Sequence, residues 1–180
     1  MQKAIQNPPL ASTAYARYLQ GFQKFTGWEG ALASEAAGRV YLCPIDIMWP
    51  VMVDRVIYKI GIVTNGNLRA GIYRQGATAD SPAGGVLAVE SASVAMGAAF
   101  ALQAVTIADT LLTPGQYFVA LQWDNNVGTF EEIYDESLAY VFYYDRGGGY
   151  GAFTSPCPAI TGHNRGVRCM LRVKTNLPLI

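Results

Sequence analysis

The stretch that decides the fold reads Val-Asp-Arg-Val-Ile-Tyr-Lys-Ile at 53–60, Asn-Leu-Arg-Ala-Gly-Ile-Tyr-Arg at 67–74, Val-Leu-Ala-Val-Glu-Ser-Ala-Ser-Val at 86–94 and Leu-Thr-Pro-Gly-Gln-Tyr-Phe-Val-Ala-Leu at 112–121. Each of these apolar segments has the length of a strand. Gly, Pro, Asn or Asp residues punctuate the gaps between them. This pattern is typical of an antiparallel β-sandwich.

Working outward from this stretch gives eight strands in all. They are predicted at 39–48, 51–63, 68–74, 86–95, 100–107, 116–123, 138–144 and 166–174. Eight strands suit a two-sheet jelly roll or a similar sandwich. The sequence therefore predicts an all-β fold, a jelly-roll-like antiparallel β-sandwich over residues 39–180.

Two of the predicted strands carry information about burial. In strand 51–63, alternation places one set of residues on the core face, with Asp54 at its mouth, and Arg55 and Lys59 on the wet face. The core set is Val56, Tyr58, Ile60 and Ile62. Strand 116–123 is apolar on both faces, so we expect it to be central or covered by a partner.

The first 38 residues are predicted to form an arm outside the sandwich, with a short helix over 13–25 capped by Ser12. Tyr15, Tyr18, Leu19 and Phe22 follow helical spacing, and Trp28 comes shortly after them. One interpretation is a helix packed on its own sandwich. The other is an arm whose five large side chains bind a neighbouring subunit, because such residues dominate interface energetics.

Charge and composition exclude several classes of function. Charged residues make up only 14% of the 180 residues, and 13 basic residues balance 13 acidic ones. A neutral chain without a basic cluster has no broad attraction to nucleic acid or to an anionic membrane. No apolar run is long enough for a membrane span, and the N-terminus lacks the pattern of a secretory signal. So little charge indicates a surface covered by partners, or else one rich in neutral polar residues.

No motif for catalysis, metal or cofactor is present, so we expect no catalytic residue, no metal and no cofactor. His163 is the only histidine and lies among turn residues. Cys43, Cys157 and Cys169 are too few and too widely spaced for a disulfide framework or a zinc site, and buried thiols are expected. The acidic segment 124–136 is predicted to be a solvated loop, because its spacing does not match a calcium loop.

Tyrosines flank the glycine-rich segment 146–151, which is predicted to be irregular. Tyr140, Tyr143, Tyr144 and Tyr150 surround it. These rings could form a platform on which a sugar stacks. Packing in the core and at subunit contacts explains most of them without a ligand.

Residues 39–123 resemble the β-sandwich modules of virion proteins of tailed bacteriophages, which occur in fibres, spikes and capsid decoration proteins. The resemblance rests on the strand with Val-Asp-Arg-Val at 53–56, the strand at 68–74, the loop with Pro82 and Gly84, the strand at 87–94 and the segment 112–121. Such modules carry an aromatic pair after the Pro-Gly turn, and here the pair is Tyr117-Phe118.

The resemblance implies a phage virion structural protein, assembled in the host cytoplasm. A capsid decoration (cement) protein that binds and stabilises the capsid exterior is favoured, because no fibre shaft or heptad pattern is visible. The alternative is a tail or fibre module that recognises host surface glycans, and a glycan hydrolase is the least favoured. We expect capsid or tail proteins as partners, self-association with a trimer preferred, and no nucleic acid or membrane partner. Deletion of residues 1–30 is expected to leave a folded sandwich.

Overall fold

The computed structural model describes residues 17–20, 31–33, 37–61, 64–78, 80–127, 129–133, 141–147, 149–164, 166–167 and 169–174. Fourteen strands form within these ranges. They are β1 (Arg17–Gln20), β2 (Ala31–Ala33), β3 (Arg39–Ile47), β4 (Val51–Lys59), β5 (Asn67–Arg74), β6 (Leu87–Glu90), β7 (Val94–Ala95), β8 (Leu102–Leu112), β9 (Gly115–Trp123), β10 (Thr129–Ile133), β11 (Val141–Asp145), β12 (Gly162–Asn164), β13 (Gly166–Val167) and β14 (Cys169–Val173).

The strands form two main antiparallel sheets, and the all-β prediction is confirmed. The smaller sheet has the order β1-β14-β4-β8. The larger sheet has the order β12-β11-β3-β9-β5-β6, and β7 also pairs with β5. A third group has the order β13-β10-β2. No helix occurs among the residues that the structure describes.

The main core lies between the two sheets. Strands β3, β5 and β9 contribute alternate residues from the larger sheet, and β4, β8 and β14 contribute them from the smaller one. Trp123 stacks on Tyr41, with ring centroids 5.0 Å apart. Period-2 alternation therefore sorts most of the large apolar residues correctly, as the sequence predicts.

A second core covers the outer face of the larger sheet. Phe118 and Ala120 of β9 lie there, and Phe153 and Cys157 from the segment after β11 pack over them in one cluster. Cys157 is fixed in place by hydrogen bonds from its N–H to the Gly85 carbonyl and from the Gly84 N–H to its own carbonyl, both 2.8 Å. Strand β9 is thus central, as predicted, and the chain itself covers its outer face.

The N-terminal helix prediction is wrong where the structure describes the chain. Arg17–Gln20 is a strand, with Tyr18 opposite Arg172 and Leu19 opposite Leu171 of β14. A short isolated helix is marginal in water, and pairing with a buried strand supplies backbone hydrogen bonds that outweigh local spacing. The rest of the predicted helix lies outside the described residues. Deletion of residues 1–30 would therefore also remove a strand of the smaller sheet.

A β-bulge in β4 makes the predicted position of Asp54 on the core face wrong. The pairing of β4 with β8 shifts register between Val53 and Arg55. The pairing of β4 with β14 shifts at the same place, between the partners of Arg55 and Val53. Val53 and Val56 both belong to the core, although three positions separate them. The extra residue moves Asp54 to the outer face, opposite to the face that simple alternation predicts.

Side chains also break one predicted strand. Residues 86–95 form two short strands, because the Ser91 hydroxyl oxygen accepts the Ala70 N–H at 3.0 Å and the hydroxyl donates to the Ala92 carbonyl at 2.7 Å. A serine that bonds to nearby backbone in this way competes with the strand ladder.

Gly71 is the position where the outer core tolerates no extra atom. A Cβ there would lie 2.8 Å from two ring carbons of Phe153. We expect Gly71→Ala to displace Phe153 and lower the free energy of unfolding by about 1–3 kcal/mol, the usual cost of overpacking. Urea denaturation measures this change.

The matched control is Gly147→Ala, because a Cβ at Gly147 meets no atom within 4 Å. It should change stability by less than about 1 kcal/mol. Equal effects of the two variants would show that Phe153 does not hold the outer core in place.

Candidate functional site

The described part of the chain lacks a cluster of side chains suited to a metal ion. No group of three or more His, Cys, Asp and Glu side chains that could hold a metal ion occurs there. His163 lies in β12 opposite Phe142, so it is in a strand and not in the predicted turn.

The acidic segment 124–136 is partly structural. Asp124 accepts hydrogen bonds from the Asn67 backbone N–H at 2.9 Å and from Asn67 Nδ2 at 2.8 Å. Burial raises the pKa of Asp124, but the hydrogen bonds from Asn67 and Asn125 outweigh it and lower the pKa overall. Residues 129–133 form β10, so the loop prediction is wrong there. Residues 134–136 lie outside the described residues.

The described tyrosines of the predicted sugar platform make contacts within the molecule. Tyr144 is buried, and its hydroxyl lies 3.2 Å from that of Tyr73. Tyr143 packs beneath Arg39, with 4.2 Å between the guanidinium carbon and the ring centroid. The Tyr150 hydroxyl bonds to the Ser93 hydroxyl at 2.6 Å. Tyr140 lies outside the described residues.

The residues predicted to contact other subunits are only partly described. Tyr18 and Leu19 are consecutive residues of β1, so the described part of this segment is a strand and not a helix. Tyr15, Phe22 and Trp28 lie outside the described residues. A subunit contact made by these five residues therefore stays a prediction.

Sequence reasoning missed an apolar surface at the turn between β3 and β4, which we call the Trp49 end. Met48 is 69% exposed and Trp49 is 61% exposed. Leu111 lies at the same end of the sandwich, because its partner in β4 is Met52 near the start of that strand. Leu111 is also exposed. The available signal was a Trp in the gap between the predicted strands 39–48 and 51–63, because connecting segments usually run over the protein surface.

A second apolar surface, the Phe100 end, lies at the other end of β4. Phe100 and Leu102 are each 61% exposed, and Leu102 pairs with Lys59, the last residue of β4. Val127 is exposed nearby, where the Gly61 N–H bonds to the Thr129 carbonyl and the Phe100 N–H to the Gly61 carbonyl. Phe100 has a φ of +57°, a strained conformation for an aromatic residue.

Several charged side chains pair with each other within the molecule. Arg172 Nε donates to Asp54 Oδ1 at 2.7 Å, and a second contact makes the pair bidentate. Arg39 pairs with Asp145 at 2.6 Å. Internal pairing reduces the charge that an already poorly charged chain presents to solvent.

Searches with protein-family models and among characterised proteins found no match to this sequence. Among the residues that the structure describes, no helix has the length and hydropathy needed to span a membrane.

The Asp54–Arg172 pair generates a prediction about stability and pH. The hydrogen bond from Arg172 is the main cause of the lowered pKa of Asp54. A lowered pKa in the folded state stabilises the protein above the unfolded pKa of about 3.9, and this contribution is lost as the pH falls through the folded pKa. We expect Asp54→Asn to lower the free energy of unfolding by about 2 kcal/mol at neutral pH, because Arg172 loses its carboxylate.

Urea midpoints measured from pH 7 downward test this expectation. The variant should lose less stability than the wild type on the acid side of pH 4. Asp109→Asn is the control, because Asp109 pairs with Lys174 at an exposed site and its loss should cost at most about 1 kcal/mol. Parallel acid profiles for the wild type and Asp54→Asn would contradict the prediction.

Proposed function

We propose that this protein is a structural component of a tailed-bacteriophage virion, most simply a capsid decoration protein without enzymatic activity. The observation that carries the proposal is the pair of exposed apolar ends on a neutral, poorly charged β-sandwich. Apolar surface rimmed by polar residues marks sites of protein–protein contact. The sequence resemblance of residues 39–123 to phage virion modules supplies the kind of partner.

The strand order supports a jelly roll as the finer description of the fold. We infer this from the orders β1-β14-β4-β8 and β3-β9-β5-β6, since eight strands that alternate in this way between two sheets follow the jelly-roll connection. Viral capsid proteins and lectins commonly use this fold. Fold alone does not define function, so the proposal rests on the surfaces.

The Trp49 end is the better candidate for the contact with the capsid. Trp is enriched among the residues that carry binding energy. Trp49 lies on a short turn between β3 and β4, two strands that are largely buried, so its backbone is fixed before binding. A fixed anchor loses less conformational entropy when it is buried.

The glycan-binding alternative draws on the same exposed indole, because sugar rings stack on aromatic faces. It is weakened by the tyrosines, since Tyr73, Tyr143 and Tyr144 are engaged inside the molecule. A tail position, or competition by soluble host glycans, would favour this alternative.

A binding experiment with virus particles tests the proposal. Particles of the phage whose genome encodes this chain are labelled with an antibody against it, and label on the capsid is expected. Met48→Ser combined with Trp49→Ser should weaken binding of added protein to undecorated capsids at least about 100-fold, because each buried apolar side chain contributes about 1.5–3 kcal/mol.

The matched control combines Phe100→Ser with Leu102→Ser, which removes the apolar groups at the opposite end and should leave capsid binding unchanged. Loss of capsid binding in the control variant alone would show that the capsid contact is at the Phe100 end and not at the Trp49 end. Particles without label at capsid or tail would overturn the virion role itself.

Self-association, with a trimer preferred, is the second expectation. The two apolar ends lie at opposite ends of β4, about 25 Å apart at the usual rise per residue. A head-to-tail contact that used both ends would extend into an open filament and would not close. A trimer therefore needs lateral contacts, and we expect the Phe100→Ser, Leu102→Ser variant to keep the wild-type mass in sedimentation equilibrium. A wild-type protein that stays monomeric at high concentration would contradict this.

A further inference from the structure

Two cysteines from opposite sheets meet inside the main core. Cys43 lies in β3 of the larger sheet and is 2% exposed. Cys169 is the first residue of β14 in the smaller sheet and packs against the same core cluster. Its partner in β4 is Tyr58, a fully buried core residue, so the register directs Cys169 to the interior of the sandwich.

The backbone brings the two strands together at this point. β13 immediately precedes β14 and lies against β3, so the chain enters the smaller sheet beside the strand that carries Cys43. The two thiols interact directly. A hydrogen bond with Cys43, followed by burial, raises the pKa of Cys169 well above its ordinary value.

Cys157 has a different environment. It belongs to the outer core on the far side of the larger sheet, together with Phe153 and Tyr73. Burial raises its pKa to about 12. The larger sheet separates Cys157 from the other two cysteines, so it serves as an internal control.

We propose that Cys43 and Cys169 are a site of oxidative modification, at which a low-molecular-weight disulfide such as oxidised glutathione converts the thiol pair into a disulfide between the two sheets. All three cysteines are thiols in the structure. Pairing across the core needs the two side chains to approach closely, and both cysteines belong to the same core cluster between the sheets.

The chemistry balances as two thiol–disulfide exchanges. The thiolate of Cys169, the more exposed of the two, attacks one sulfur of the oxidant and releases the first reduced thiol. The thiolate of Cys43 then attacks the Cys169 sulfur of the mixed disulfide and releases the second. The protein loses two electrons and two protons, and the oxidant gains them as two thiols. Because only the thiolate attacks, the raised pKa of Cys169 makes the reaction slow at neutral pH and faster as the pH rises.

The oxidised pair would change stability measurably. A bond between β3 and β14 closes a loop that includes most of the chain, and such a loop restricts the unfolded ensemble strongly. We expect the melting temperature to rise by about 10 °C on oxidation and to return on reduction.

The test uses Cys157→Ser protein, in which Cys43 and Cys169 are the only cysteines. Folded protein is incubated with oxidised glutathione at about pH 9, quenched with acid, and analysed by intact mass and thiol titration in denaturant. We expect a monomer that has lost two hydrogens, both thiols and the capacity for alkylation. Further substitution of Cys43→Ser or Cys169→Ser should abolish this product and the rise in melting temperature.

A peptide map of oxidised wild-type protein provides a second measurement that does not depend on the variant's folding. It should show a Cys43–Cys169 crosslink and an alkylated Cys157. Retention of both thiols, stable glutathione adducts, crosslinks only between chains, or a crosslink to Cys157 would each overturn the proposal.

Discussion

Burial of strand β9 on both faces is the constraint on which the rest of the structure depends. Tyr117, Val119 and Leu121 face the smaller sheet, while Phe118 and Ala120 face away from it. A central strand of this composition needs apolar cover on two sides. The smaller sheet provides one cover, and the segment that carries Phe153 and Cys157 provides the other. The Phe153 N–H is held by Glu90 Oε2 at 2.9 Å, so polar contacts from the sheet edge fix the outer cover in place.

The sequence predicts the strands whose own residues show the burial pattern. The prediction is wrong for segments whose secondary structure depends on pairing with a strand far away in sequence. The period-2 segments that become β3, β4, β5 and β9 are read correctly within a few residues. Arg17–Gln20 was predicted to be helical because aromatic spacing suggested one face, whereas its partner β14 lies at the other end of the chain. The same holds for β10, whose partners Ala31–Ala33 and Gly166–Val167 cannot be inferred from an acidic segment.

The candidate surfaces were less accessible to sequence reasoning than the fold. Met48 and Leu111 are far apart in sequence, and only the pairing of β4 with β8 brings them to one end. Aromatic residues look alike in sequence whether they fill a core or face solvent. Tyr144 is buried while Trp49 is exposed. The difference arises from the segment that covers the larger sheet, and no local sequence pattern predicts this cover.

The outer cover changes where a partner can bind. An apolar strand such as β9 would invite a second subunit if its outer face were bare, but Phe153 and Cys157 already occupy that face. Association then cannot use that face and needs other surfaces of the sandwich. Strand β8 is the edge of the smaller sheet among the described strands, and long edges tend to pair with other chains. The register shift opposite Asp54 interrupts its ladder, and Asp109 adds a charge that pairs with Lys174. Both features disfavour continuous pairing along β8, so the exposed ends are the apolar surfaces left for the proposed capsid contact. The proposed trimer then needs lateral contacts other than this edge.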